Sequence, residues 1–265
     1  MSKLLHEYDS AINALLSEAK QDGMYVVARW HKHDKYSAVW RNHKLDEART
    51  SQDTGVGLYV FSPKGHVAFG STNDLGHNAV LGLYRSLALA AQTNEKLGIA
   101  LASEIFMLER QDNLGEDATH YQHRPLLDYD LAQLSTVMKG LDDIVSDLNQ
   151  KLNIEASFEA SADLEQDQWR IVRSDGTDVD FSLPKVRLRR ATVTVRSENR
   201  SAQNFQRLAS TTIEGLVADA QKIRESFIRD TQESIEQLEA QAIEGGNPAV
   251  MMSSELMGMI AHEAL

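Results

Sequence analysis

Apolar residues at Leu4, Leu5, Tyr8, Ile12, Leu15, Leu16 and Ala19 recur at the three- and four-residue spacing of one helix face, and the Asp22-Gly23 pair closes the pattern. Three short segments rich in β-formers follow, Met24 to Trp30, Tyr36 to Trp40 and Val56 to Phe61. The last of them runs through Ser62-Pro63-Lys64-Gly65 into His66 to Phe69, which reads as a hairpin. From Leu75 to about Leu97 the period returns to that of a helix, carried by Leu81, Tyr84, Leu87, Leu89 and Ala91. A small antiparallel sheet covered by helices accounts for this first stretch, and its length suits one domain.

Residues 112–130 are polar and irregular and read as a connection. Leu134, Val137, Met138, Leu141, Ile144, Val145 and Leu148 then mark a periodic helix. After it the period becomes two. Ile154, Ala156, Phe158 and Ala160 alternate with mostly polar residues, as do Val193 and Val195, and Ser174-Asp175-Gly176-Thr177 separates Trp169–Val172 from Val179–Phe181 as a turn. A second antiparallel sheet of four or five strands is expected here. A long helix from about Thr212 to Ala242 leads to Gly245-Gly246-Asn247-Pro248, a short strand over Ala249–Met252 and a final helix capped by Ser253 or Ser254. The fold class is therefore α+β. The expected divisions are an N-terminal α+β domain at 1–110, a middle domain with an antiparallel sheet and long helix at 111–244, and the start of a further domain at 245–265.

Composition narrows the function. The chain has 265 residues, 42% of them hydrophobic, and 27 basic against 39 acidic residues give a net charge of -12. Such a surface repels phosphate backbones and anionic lipid, so neither nucleic acid nor membrane is an expected partner. Cysteine is absent, which excludes disulfides and thiolate zinc ligands within these residues and fits a reducing compartment. His6, Glu7 and Asp9 interrupt the stretch where a signal peptide needs an apolar core, and no run reaches the roughly 18 apolar residues of a membrane span. The expected location is the cytoplasm.

The strongest candidate chemistry lies in His262-Glu263, carried on the last helix after an apolar stripe of Leu256, Met259 and Ile260. In metallopeptidase helices the histidine binds the metal and the adjacent glutamate works on metal-bound water, with a second histidine further along. His31 and His33 lie two apart, on one face of a strand, but Lys32, Asp34 and Lys35 suggest a solvated strand end. His120 and His123 fall in the polar connection, and His66 and His77 read as surface or capping residues. Gly55-Val56-Gly57 precedes a strand and lacks the strand-to-helix geometry of a phosphate loop. Lys185 to Arg190 (KVRLRR) is the main basic cluster, and its charges alternate with Val186 and Leu188 as on an exposed strand face.

Taken together, Tyr36 to Thr50 (YSAVWRNHKLDEART) into Gly55 to Thr72 (GVGLYVFSPKGHVAFGST), Trp169 to Phe181 around its turn, and Asn247 to Leu265 resemble the TldD/PmbA family of metallopeptidases, also described as modulators of DNA gyrase. The resemblance implies His-Glu-x-x-x-His at the last of these stretches. His262 then matches the first zinc ligand and Glu263 the catalytic glutamate, while the second histidine falls two positions past Leu265 and a further cysteine ligand lies downstream. At ~100° per residue, histidines five apart are ~140° apart around a helix, so the helix is expected to loosen between them.

By the same resemblance, the protein is the N-terminal part of a zinc-dependent metallopeptidase of the TldD type. Zn2+ polarises the scissile carbonyl, and Glu263 takes a proton from water and passes it to the leaving amine. Its substrates are peptides or unfolded polypeptide segments, and it works as a homo-oligomer or paired with a PmbA-type subunit. With one histidine and one glutamate, these 265 residues are expected neither to bind zinc tightly nor to be active. The competing expectation is a scaffold or regulatory subunit that pairs with a full-length family member.

Overall fold

The computed structural model describes residues 5–41, 43–98, 131–197, 200–218, 220–241, 245–247 and 249–264. A 3-10 turn (His6–Tyr8) enters helix α1 (Asp9–Gln21). Strands β1 (Tyr25–Arg41), β2 (Lys44–Phe61) and β3 (Val67–Thr72) come next, then helix α2 (His77–Lys96). After residue 130 come α3 (Leu131–Leu152), β4 (Glu155–Arg173), β5 (Asp178–Ser197), β6 (Arg200–Ser210), α4 (Ile213–Val217), α5 (Ala220–Glu239) and α6 (Ser254–Ala264).

Helix ends follow local chemistry. Gly23 takes φ 67° just past α1, and the Met24 amide returns to the Ala19 carbonyl at 2.9 Å, closing a left-handed C-terminal cap. Asn153 does the same after α3 at φ 50°, with the Ile154 amide on the Asn149 carbonyl at 3.3 Å. The Asn149 side chain continues the sheet pattern outward: its amide donates to the Ala156 carbonyl at 2.7 Å, and its oxygen accepts the Ala156 N–H at 2.8 Å. Thr212 caps α4, its hydroxyl accepting the Gly215 amide at 2.9 Å.

The strands do not divide into two sheets. The described strands form one six-stranded antiparallel sheet in the order β3-β2-β1-β4-β5-β6. β1 is its spine, paired with β2 on one side from Tyr25↔Phe61 to Arg41↔Lys44, and with β4 on the other from Val27↔Arg173 to Arg41↔Glu159. Its 17 residues extend about 55 Å at ~3.3 Å per residue, enough to carry two cores end to end.

Those cores share a face. Val26, Ala28 and Trp30 pack with Leu15 of α1, Tyr84 of α2 and Val56, Leu58 and Val60 of β2. Ala38 and Trp40 pack with Leu134 and Met138 of α3, Phe227 of α5 and Phe158, Ala160 and Leu164 of β4. All these strand positions are even-numbered, and β1 has no register shift before Val39, so alternation puts both cores on the same side of the sheet. The odd-numbered side of β1 and β4 carries the charged residues described below.

The α+β class thus agrees with the sequence, whereas the expected pair of separate sheets is corrected to one. The physical reason is the middle of β1. His31 to Lys35 lies between the two cores, so both of its faces are polar and its periodicity gave no strand signal. The polar first half of β2, Lys44 to Asp53, was missed for the same reason, since β1 holds it by backbone pairing and by polar contacts such as Arg41 to Asp46 at 3.3 Å. The expected strand over Ala249–Met252 is absent, as residues 249–252 are not in a strand. The expected long helix from Thr212 is two helices, α4 and α5. The connection at 112–130 and the boundary near 110 lie outside the described residues.

Candidate functional site

Two places carry candidate chemistry. The first is α6. Ser253 caps it as expected, its hydroxyl accepting the Leu256 amide at 3.2 Å. Leu256, Met259 and Ile260 are 41%, 59% and 41% exposed, so the apolar stripe packs on nothing in the described structure. His262 and Glu263 sit in the last turn, also exposed. Zinc needs three protein ligands at a catalytic site. Among the described residues, His262 and Glu263 belong to no group of three converging histidines or carboxylates, so the residues present do not by themselves fit a zinc ion there.

The second place is the odd-numbered side of the sheet between the two cores. Register puts His33 opposite Asp167, Lys35 opposite Glu165 and His31 opposite Trp169. On the far side of β4, Glu165 faces Lys185 and Asp163 faces Arg187. An acidic strand therefore runs between two basic ones, and each carboxylate is shared by both neighbours. Asp163 pairs with Lys35 at 3.4 Å and Arg189 at 2.6 Å. Glu165 pairs with Lys35 at 2.9 Å and with Arg187. Asp167 accepts on Oδ1 from His31 Nε2 at 2.7 Å and His33 Nδ1 at 2.8 Å, and on Oδ2 from Lys185 at 2.9 Å. All three carboxylates are buried, and buried charges persist only when paired in this way.

Electrostatics agree with the geometry. Burial alone would raise the Asp167 carboxyl, but the hydrogen bonds from Lys185, His31 and His33 outweigh it and bring it down to about 2. Glu165 is likewise pushed up by burial and pulled lower on balance by Lys35 and Arg187. The His31 ring stacks on Trp169 with centroids 3.8 Å apart and planes 12° apart, and the Arg29 guanidinium lies 5.1 Å over the same indole.

Several sequence expectations change here. His31 and His33 are not at a solvated strand end; they lie inside a continuous strand and converge on a buried carboxylate. The KVRLRR cations are not a free basic face, because Lys185, Arg187 and Arg189 are each paired with β4. His66 is buried, not on the surface. His120 and His123 lie outside the described residues. Asp167 was missed because its histidine partners are more than 130 positions away; the signal that could have found it is the i,i+2 run of acids, Asp163, Glu165 and Asp167, facing the i,i+2 run His31, His33 and Lys35.

The described chain is an α+β protein built on one antiparallel sheet with helices α1 to α5 packed on one side. Residues 26–96, from β1 through α2, match the family model for PmbA/TldA metallopeptidase domain 1. Three solved structures share the fold at 13% identity. A protein described as a modulator of DNA gyrase from Thermotoga maritima superposes with a TM-score of 0.64 over 90% of this chain and 50% of its own length. TldE from Thermococcus kodakarensis has a TM-score of 0.60 over 84% and 47%. A second protein described as a gyrase modulator, from Bacteroides thetaiotaomicron, has a TM-score of 0.61 over 87% and 49%. The chain spans about half the length of each structure it matches. No curated protein has a significant sequence match to it. Among the described residues, no helix is long and apolar enough to cross a membrane.

Proposed function

We propose that the chain is the N-terminal part of a zinc-dependent metallopeptidase of the TldD type, cleaving peptides or unfolded polypeptide segments in the cytoplasm. In this reading His262 is one zinc ligand and Glu263 the general base. The remaining ligands come from outside these 265 residues, and the working unit is an oligomer, either of this protein or with a PmbA-type subunit. The observation that carries the proposal is the match of residues 26–96 to a metallopeptidase domain in a chain whose last helix presents an adjacent, exposed His262-Glu263 pair. The unpacked stripe of Leu256, Met259 and Ile260 supports it, because a helix of this kind is stable only against a further layer.

A second reading, a scaffold or regulatory subunit, is favoured by one observation: no described residue completes a metal site around His262. The two are separated by isolating the protein from its source, measuring its intact mass and assaying metal-dependent cleavage of an unstructured peptide. A mass well above the 29.6 kDa of these residues, with chelator-sensitive cleavage, supports the peptidase. A mass of 29.6 kDa without cleavage supports the scaffold.

A further inference from the structure

The His31, His33 and Asp167 cluster has no part in the proposed peptidase centre, and its geometry suits a different task. The candidate ligand atoms, one imidazole nitrogen from each histidine and one carboxylate oxygen, lie within 4.8 Å of one another. Both nitrogens, His31 Nε2 and His33 Nδ1, already point at the same oxygen, Asp167 Oδ1, at 2.7 Å and 2.8 Å. Two neutral imidazoles and a carboxylate are a donor set typical of zinc and related divalent ions.

The surroundings hold each donor in place. Lys185 occupies Asp167 Oδ2 at 2.9 Å, which fixes the carboxylate so that Oδ1 alone faces the histidines. Stacking on Trp169 fixes the plane of the His31 ring. The backbone is equally constrained, since His31 and His33 are two apart on one strand and Asp167 is the direct register partner of His33 on the next. The histidine side chains remain 31% and 21% exposed, so an ion can reach the cluster from solvent.

We propose that His31, His33 and Asp167 form a divalent transition-metal site of the zinc type, separate from His262, that clasps β1 to β4 midway between the two hydrophobic cores. In the metal-free protein each ring donates an N–H to Oδ1. On binding, each ring must turn a nitrogen lone pair to the ion, and the proton that pointed at Oδ1 leaves that nitrogen. Three protein donors leave at least one position for water or a fourth ligand. Clasping the strands stabilises the stretch of β1 that lies between the two cores.

The test is a zinc titration of the 265-residue chain by calorimetry, with His31→Ala, His33→Ala and His262→Ala variants, each checked for folding by circular dichroism. The expected result is one zinc ion per chain, weakened by about 10-fold or more in His31→Ala and His33→Ala and unchanged in His262→Ala. Should either variant fail to fold, the wild-type chain supplies the second readout: on adding zinc, the imidazole resonances of His31 and His33 shift and those of His262 stay. No zinc binding by the wild-type chain, or binding that follows His262 instead, overturns the proposal. Absence of zinc binding leaves the peptidase reading untouched, since that reading concerns the assembled protein and Glu263, whereas binding that follows His262 overturns this site while supporting that reading.

Discussion

The phenol of Tyr25 donates to Asp175 Oδ2 at 2.9 Å, joining residues 150 positions apart. Beside it the Val26 amide donates to Ser174 Oγ at 2.8 Å, and the Ser174 amide to the Val26 carbonyl at 3.0 Å. The first residues of β1 are thus pinned to the turn between β4 and β5. Tyr25→Phe removes one hydrogen bond to a charged acceptor and is expected to cost about 1.5 kcal/mol, read as a lower midpoint in urea denaturation with an unchanged slope.

The same pair sets a pH limit. Burial, then the hydrogen bond to Asp175, raises the Tyr25 phenol from its ordinary 10.0 to about 12. A group whose folded value is raised stabilises the fold fully below its unfolded value and loses that contribution as pH climbs to the folded one. Stability should therefore fall between about pH 10 and 12, and Tyr25→Phe should flatten that limb of a denaturation series run against pH. An equal alkaline loss in the variant assigns the effect to another group.

Arg170 is the clearest buried charge outside the ladder. It forks onto Asp178 at 2.9 Å and 3.0 Å and reaches Asp9 of α1 at 2.5 Å, so it ties the first helix to β4 and β5. Arg170→Met leaves carboxylates without their cation and should cost about 3 kcal/mol in chemical denaturation. Arg170→Lys keeps the charge but not the planar fork, and should recover less than half of that loss.

Trp40 Nε1 donates to Asp142 Oδ2 at 2.6 Å, both residues buried, and this bond fastens α3 to the sheet. Asp142→Ala orphans the indole N–H and is expected to cost about 2 kcal/mol. In a cycle with Trp40→Phe the two losses should not add, with a coupling of about 1 kcal/mol or more. Additive losses would mean that the bond contributes nothing of its own.

Where a residue faces a helix, the sequence was legible. The stripes of α1, α2 and α3 appear as spacing, the Asp22-Gly23 and Ser174-Asp175-Gly176-Thr177 breaks appear as glycines at positive φ or beside them, and Val56 to Phe61 alternates over a core. Where strand residues face only other strands, it was not. Lys44 to Asp53 is held by pairing with the neighbouring β1, and His31 to Lys35 by register and ion pairs to β4 far away in sequence; polar alternation of that kind resembles a loop. For the same reason the His31, His33 and Asp167 cluster was half visible: two histidines at strand spacing stood out, while their common carboxylate did not. His262-Glu263 was legible as a pair, and both residues are exposed.

The most direct test of the peptidase account is the rate of zinc-dependent cleavage of an unstructured peptide by the whole protein, compared with its Glu263→Gln variant at equal zinc content. The account predicts cleavage by the unaltered protein and a loss of about 100-fold or more in the variant, as for removal of a general base. Cleavage at an undiminished rate by Glu263→Gln would contradict it.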